Sequence, residues 1–174
     1  MPAAFINRRF WAKACAAWIG GSVTLEQVMA SPATPAHMQW PDRLDLLDEA
    51  SLRGESFRTM TTVLVFFSID CPYCRRHNRR LSTLSLQHSG KLRVIGAALD
   101  SDRDSLRRYR ETQGLRFSIA PDARSLRERV TPRSVIPFTT VIAPDGTFKE
   151  RIPGEMSEED ILGLARWASK GEKR

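Results

Sequence analysis

Three cysteines and three histidines in 174 residues leave little room for metal chemistry. A structural zinc site needs four ligands at characteristic spacings, and His37, His77 and His88 form no second close pair to set beside the cysteines. No G-x-G-x-x-G occurs, which removes the fingerprint of flavin and nicotinamide binding. Neither metal nor cofactor is expected. Long apolar runs are also missing: the mildly apolar stretch near the N-terminus is broken by Lys13, Gly20, Gly21 and Glu26, too short and interrupted for a membrane span. Lysine is scarce, five of 27 basic residues, so the net charge of +7 is carried by arginine. Arg103, Arg107, Arg108 and Arg110 are interleaved with Asp102, Asp104 and Glu111, the pattern of a solvated helix face rather than a stripe that follows phosphates. No nucleic-acid partner is expected.

What is present is a globular balance, 41% hydrophobic and 27% charged, with length for one domain. Residues 1–30 stand apart. Arg8, Arg9 and Lys13 lead into the apolar stretch, and Val28-Met29-Ala30 ends in small residues, the layout of a signal peptide cleaved near Ala30. Asn7 to Lys13, N-R-R-F-W-A-K, resembles the twin-arginine export motif. Cys15 falls inside this segment and reads as a small apolar residue lost on processing. The proline-rich stretch 31–41 reads as a linker, and 42–174 as the domain.

Within the domain, strand and helix signals alternate. TTVLVFF from Thr61 is β-branched, aromatic and apolar throughout, as a strand buried on both faces should be. The chain from Pro72 to about Gln87 predicts a helix burying Leu81 and Leu84. Leu92–Leu99 predicts a strand, 102–113 a helix capped by Ser101 or Asp102 and closed by Gly114, Arg116–Ala120 a short strand and Ser125–Val130 a short helix. Phe138–Ile142 and Thr147–Ile152 flank Ala-Pro-Asp-Gly, a hairpin signal, and Ser157 caps a last helix carrying Ile161, Leu164, Ala165 and Ala168. Residues 42–60 fit a strand or a short helix equally.

The two remaining cysteines lie in FFSIDCPYCRRHNRR, between a buried strand and a helix. A thiol at Cys71, at the helix start, meets free backbone N–H groups and the positive end of the dipole, which favour its thiolate. Cys74, one turn in, can attack a mixed disulfide formed at Cys71. Haem attachment would require histidine where Arg75 stands. A purely structural disulfide over so small a loop would add little stability.

Cys71-Pro72-Tyr73-Cys74 after VLVFF, followed by Ser134-Val135-Ile136-Pro137-Phe138-Thr139-Thr140 and Ala143-Pro144-Asp145-Gly146, resembles the thioredoxin superfamily over residues 42–170, and most of all its exported TlpA/ResA-like thiol-disulfide oxidoreductases. The resemblance implies an α/β thioredoxin-like fold, a mixed central sheet flanked by helices, with an extra helix and strand before a cis-proline. It implies Cys71 as nucleophile, Cys74 as resolving thiol, a cis Pro137 beside the dithiol, and a substrate surface made by Pro72, Tyr73, Ile136 and Pro137. Protein dithiols or disulfides would be the substrates, a membrane protein the electron donor or oxidant, the chain a periplasmic monomer, cleaved or anchored by its N-terminus. Relatives of this type mostly reduce, for example cysteines awaiting haem in cytochrome c maturation. Pro-Tyr between the cysteines resembles glutaredoxins, with potentials of roughly −200 to −230 mV. Two departures stand out: Val65 where thioredoxins keep a buried aspartate, and Asp70 where tryptophan precedes the first cysteine. Asp70 should raise the Cys71 pKa, while Arg75, Arg76 and His77 should lower it if they point at the sulfur. His77 is expected at the surface. The competing readings are a copper metallochaperone using Cys71, Cys74 and His77, and a thiol peroxidase, for which the usual P-x-x-x-T/S-x-x-C is missing.

Overall fold

The computed structural model describes residues 35–168. Its centre is β3 (Thr61–Phe67), every residue of which is buried. Parallel to it runs β4 (Leu92–Ala98), in register Val65 to Gly96, and parallel to β4 lies the short β5 (Ser118–Ala120). On the other side β6 (Phe138–Ile142) pairs antiparallel with β3, Val65 opposite Thr139, and β7 (Phe148–Pro153) closes the edge. The order is β5-β4-β3-β6-β7. A strand that runs from two buried threonines into an unbroken apolar stretch can occupy this centre because helices cover both faces, so both halves of its alternation are buried.

Helix α1 (Pro72–Gln87) follows β3, α2 (Arg103–Gln113) follows β4, and α3 (Arg124–Glu128) and α4 (Glu158–Gly163) follow β5 and β7. Their ends are set by short-range chemistry. Asp102 caps α2 by accepting from the amides of Asp104 and Ser105, Gly114 ends it in the left-handed conformation that costs glycine little, and Ser157 caps α4. The helix and strand expected before the cis-proline are α2 and β5. A 3₁₀ turn, Leu164–Trp167, extends α4.

Residues 42–60 resolve into a two-stranded hairpin, β1 (Arg43–Leu44) with β2 (Leu52–Arg53), and a 3₁₀ turn at Gly54–Arg58 that buries Phe57. Trp40 stacks on Phe57 with centroids 3.7 Å apart, Met38 is buried, and His37 bridges to Thr147. The end of the expected linker therefore belongs to the domain. Apolar contacts hold it there, because Met38 and Trp40 supply more hydrophobic surface than a free linker would. The expected signal segment lies outside the described residues.

Two apolar clusters fill the fold. Val63, Val65 and Phe67 point to the first, with Cys74, Leu81, Leu84, Leu106, Val141 and Ile161; Leu64 and Phe66 point to the second, with Phe57, Ile95, Leu126, Phe138 and Ile142. Gly96 makes room in the first. A methyl group there would lie 2.7 Å from the Phe117 ring and 2.9 Å from the Phe67 ring.

Candidate active site

At the end of β3 the chain turns through Ser68-Ile69-Asp70 before entering α1. Asp100, just past the end of the neighbouring β4, holds this turn: its carboxylate accepts from the Ser68 hydroxyl at 3.1 Å and from the Ile69 amide at 3.0 Å. Cys71 is the N-cap of α1, with extended backbone, and Pro72 fills the first helical position, where the missing N–H costs nothing. The Cys71 sulfur accepts the amide of Cys74 at 3.2 Å. Cys71 and Cys74 are joined as a disulfide, Cα atoms 5.2 Å apart.

The two sulfurs sit in different surroundings. Cys71 is half-buried and Cys74 is wholly buried. Pro72 and Tyr73 are exposed, Tyr73 at 57%, and the Arg76 guanidinium lies 5.1 Å above the tyrosine ring. From the opposite side comes the segment Ser134–Pro137. The Ile136–Pro137 bond is cis, Pro137 is buried with its carbonyl accepting from Gly154 at 2.8 Å, and Ile136 and Cys71 both pack against the cluster that contains Cys74. Cys71, Cys74, Ile136 and Pro137 are thus brought to one end of the sheet, with Pro72 and Tyr73 on its rim.

His77 overturns its expected place at the surface. It is fully buried, on the same face of α1 as Cys74, Asn78, Leu81 and Leu84. One ring nitrogen, Nε2, lies 2.8 Å from Thr139 Oγ1, and the other, Nδ1, accepts the Met156 amide at 3.2 Å. Burial pushes its pKa down to about 4, Glu155 opposing and Arg80 adding to the shift. It carries no charge toward Cys71 at neutral pH. Arg76 does not supply one freely either, since it forms a two-pronged pair with Glu155 at 2.9 and 2.6 Å. Arg80 joins the same carboxylate at 2.9 Å. Glu155 is held below the usual carboxylate range first by its hydrogen bond to Arg76.

With both nitrogens engaged, His77 is no third ligand for copper. Among the described residues no group of three His, Cys, Asp or Glu side chains could hold a metal ion. Sequence reasoning missed Asp100, Thr139 and Glu155. Asp100 left a trace, a carboxylate at the carboxyl end of a predicted parallel strand beside the strand that ends at the cysteines; the other two meet α1 only through the fold.

No family model and no curated protein matches this sequence. Solved structures do. A secreted Mycobacterium tuberculosis disulfide oxidoreductase homologous to Escherichia coli DsbE superposes with a TM-score of 0.61 at 21% identity, over 71% of this chain and 93% of that one. The chain has the thioredoxin fold. A thioredoxin-family thiol:disulfide interchange protein from Chlorobium tepidum gives 0.65 at 20% identity, over 78% and 95%. StoA from Bacillus subtilis gives 0.62 at 16%, over 75% and 99%. At these identities the likeness is one of fold, and the chemistry has to be argued from this chain's own thioredoxin-fold site.

Proposed function

We propose that this chain is a thiol-disulfide oxidoreductase that exchanges the Cys71–Cys74 disulfide with cysteines of partner proteins, working as a reductant after export. The observation that carries the proposal is the asymmetry of the pair: a half-buried sulfur at the N-cap of α1, joined to a wholly buried one a turn deeper. A thiolate at position 71 is favoured by the Cys74 amide that already points at it and by the helix dipole. It attacks the partner's disulfide, and Cys74 resolves the product. Pro72, Tyr73 and Ile136 form the docking surface, which the buried cis Pro137 shapes from beneath. Ile136 lies outside the strands and enters none of the turn and loop hydrogen bonds among the described residues, which leaves its peptide groups free to pair with an extended segment.

Export is supported by the basic and then apolar layout of residues 1–30 and by the secreted Mycobacterium tuberculosis protein of like fold. Reduction as the working direction requires an electron donor, and a membrane protein is the natural source outside the cytoplasm. Two experiments test the proposal. Cys71→Ser should abolish reduction of a protein disulfide while Cys74→Ser accumulates mixed disulfides; normal turnover by the Cys71 variant defeats it. Equilibration of the couple with dithiothreitol should give a potential nearer thioredoxin's, about −270 mV, than the oxidant DsbA's, about −120 mV.

A further inference from the structure

Resolution by Cys74 asks a wholly buried sulfur to carry negative charge in apolar surroundings, against a steep desolvation cost. No Asp, Glu, Lys or Arg is fully buried among the described residues, and the strand residue that shares the Cys74 cluster at position 65 is a valine. On this face the Met156 amide, His77 and Thr139 form a short chain, beside a separate Asn78–Tyr109 pair. Met156 N–H donates to His77 Nδ1. Because a main-chain amide can only donate, the neutral ring keeps its lone pair on Nδ1 and its hydrogen on Nε2. That hydrogen is then donated to Thr139 Oγ1, 2.8 Å away. Thr139 is itself fully buried, and its hydroxyl hydrogen finds no acceptor among the described residues. A buried donor left unused costs on the order of 1–3 kcal/mol unless some state of the protein employs it.

The position of Thr139 on the sheet bears on which state that is. It stands directly across from Val65, and Val65, Val141 and Cys74 share one cluster on that side of the sheet. His77 lies one turn beyond Cys74 on the same buried stripe of α1. Building on the oxidoreductase reading, we infer that Met156 N–H, His77 and Thr139 form a one-way donor chain that ends on the Cys74 sulfur and stabilises its thiolate once the disulfide opens. In that opened state the Thr139 hydroxyl is the donor to the sulfur; His77 is a positioning residue that fixes the direction of the hydroxyl. The ring passes no proton, because its one lone pair is held by Met156, and its pKa near 4 keeps it neutral at working pH.

The surrounding charges do not replace this role. Glu155 and Arg80 are paired with each other, Tyr109 of α2 is engaged by Asn78, α4 exposes Glu158, Glu159 and Asp160, and β3 and β6 bring no titratable side chain. In the step itself Cys71 has already displaced one substrate thiolate and is joined to the other sulfur. Cys74 has released its proton to solvent. Its thiolate attacks the Cys71 sulfur, the bond to the substrate breaks, the Cys71–Cys74 bond forms, and the second substrate thiolate leaves and is protonated. Two electrons pass from the dithiol to the substrate disulfide.

The test uses the full chain with Cys71→Ser, in which Cys74 is a lone thiol followed by the ¹³C shift of its Cβ. Adding Thr139→Val should raise the Cys74 midpoint by about one pH unit, and Thr139→Ser should leave it within a few tenths, as expected for one hydrogen bond to a charged group. In the chain with both cysteines, Thr139→Val should slow release of a small aromatic thiol from a mixed disulfide at Cys71 roughly tenfold at pH 7. With Thr139 intact, the His77 ring ¹⁵N shifts should step at the Cys74 midpoint, a readout that needs no substitution at 139. An unmoved midpoint in a folded Thr139→Val protein, or ring shifts indifferent to Cys74, overturns the inference while leaving the oxidoreductase reading intact. Loss of that reading would appear instead as a Cys71-independent turnover.

Discussion

The two faces of the central sheet are built from the same strand and do different work. Thr62, Leu64 and Phe66 turn to a face whose buried side chains carry no titratable group, with Phe57, Ile95, Phe138 and Ile142 around them. Val63, Val65 and Phe67 turn to a face that also buries Cys74, His77, Asn78 and Tyr109. Among the described residues, every buried group that can titrate is on the second of these. An apolar face is stabilised by packing alone and is indifferent to pH. A face with a buried imidazole and thiol is stabilised only while those groups stay neutral or find donors, so its stability depends on pH and redox state.

The comparison is broken most forcefully by Phe66→Ala. Phe66 is wholly buried on the hydrocarbon face, and its removal should cost about 3–5 kcal/mol. The loss read from urea midpoints should be the same at pH 7 and pH 5.5 relative to the parent, and the potential of the cysteine couple should not move. On the other face the largest expected effect is one of pH. His77 titrates near 4 when folded and near 6.5 when unfolded, so below 6.5 the unfolded chain binds a proton that the native one refuses. Stability is full above 6.5 and falls as pH drops from 6.5 to 4, by roughly 3 kcal/mol in all. From the lower end of that window downward Glu150 and Glu155, and then Asp48 and Asp102, all held low by hydrogen bonds, add their own losses. A His77→Gln protein should lack the slope between 6.5 and 4; a slope of equal size in that variant would assign it elsewhere.

Gly96→Ala sharpens the contrast at smaller cost. The added methyl would sit within 3 Å of both Phe67 and Phe117, rings locked in the dithiol face, and overpacking of this kind costs about 1–3 kcal/mol. Thermal unfolding should register it. An unchanged midpoint would mean that the two rings yield more easily than a close-packed core allows.

How far these faces could be read from sequence depends on the range of the interactions. β3, the start of α1 at Pro72, the caps at Asp102 and Ser157 and the hairpin at Pro144-Asp145-Gly146 rest on neighbours within a few residues, and they lie where local pattern puts them. The side of α1 that faces the sheet was half legible. Leu81 and Leu84 mark it, and stepping back by three and four residues passes through His77 and Asn78 to Cys74. Polar identity argued for the surface, yet geometry required burial. Thr139, 62 residues away, supplies the ring's partner, and Met156 lies 79 residues away. Those partners are set by the crossing of α1 over β6, and no local pattern encodes that crossing. Residues 37–41 were misjudged for the opposite reason: proline suggested a linker, while Met38 and Trp40 had apolar sites waiting on the domain.

The smallest expected effect tests how the two kinds of interior meet the surface. Glu155 lies in the segment that presents the Met156 amide to His77, and it ties that segment to α1 through Arg76 and Arg80. Both pairs are partly solvated, so Glu155→Gln should cost no more than about 1 kcal/mol at pH 7. Its effect on the buried ring should be clearer than its effect on stability. The carboxylate favours a protonated His77 and Arg80 disfavours it. Removing the carboxylate leaves Arg80 unbalanced, so the folded midpoint of His77 should move down rather than up, followed by the ring Hε1 shift. If instead the midpoint rises, the loss of the ion pairs has let water reach the imidazole. The dithiol face would then owe its dryness to Glu155 rather than to the apolar side chains that surround Cys74.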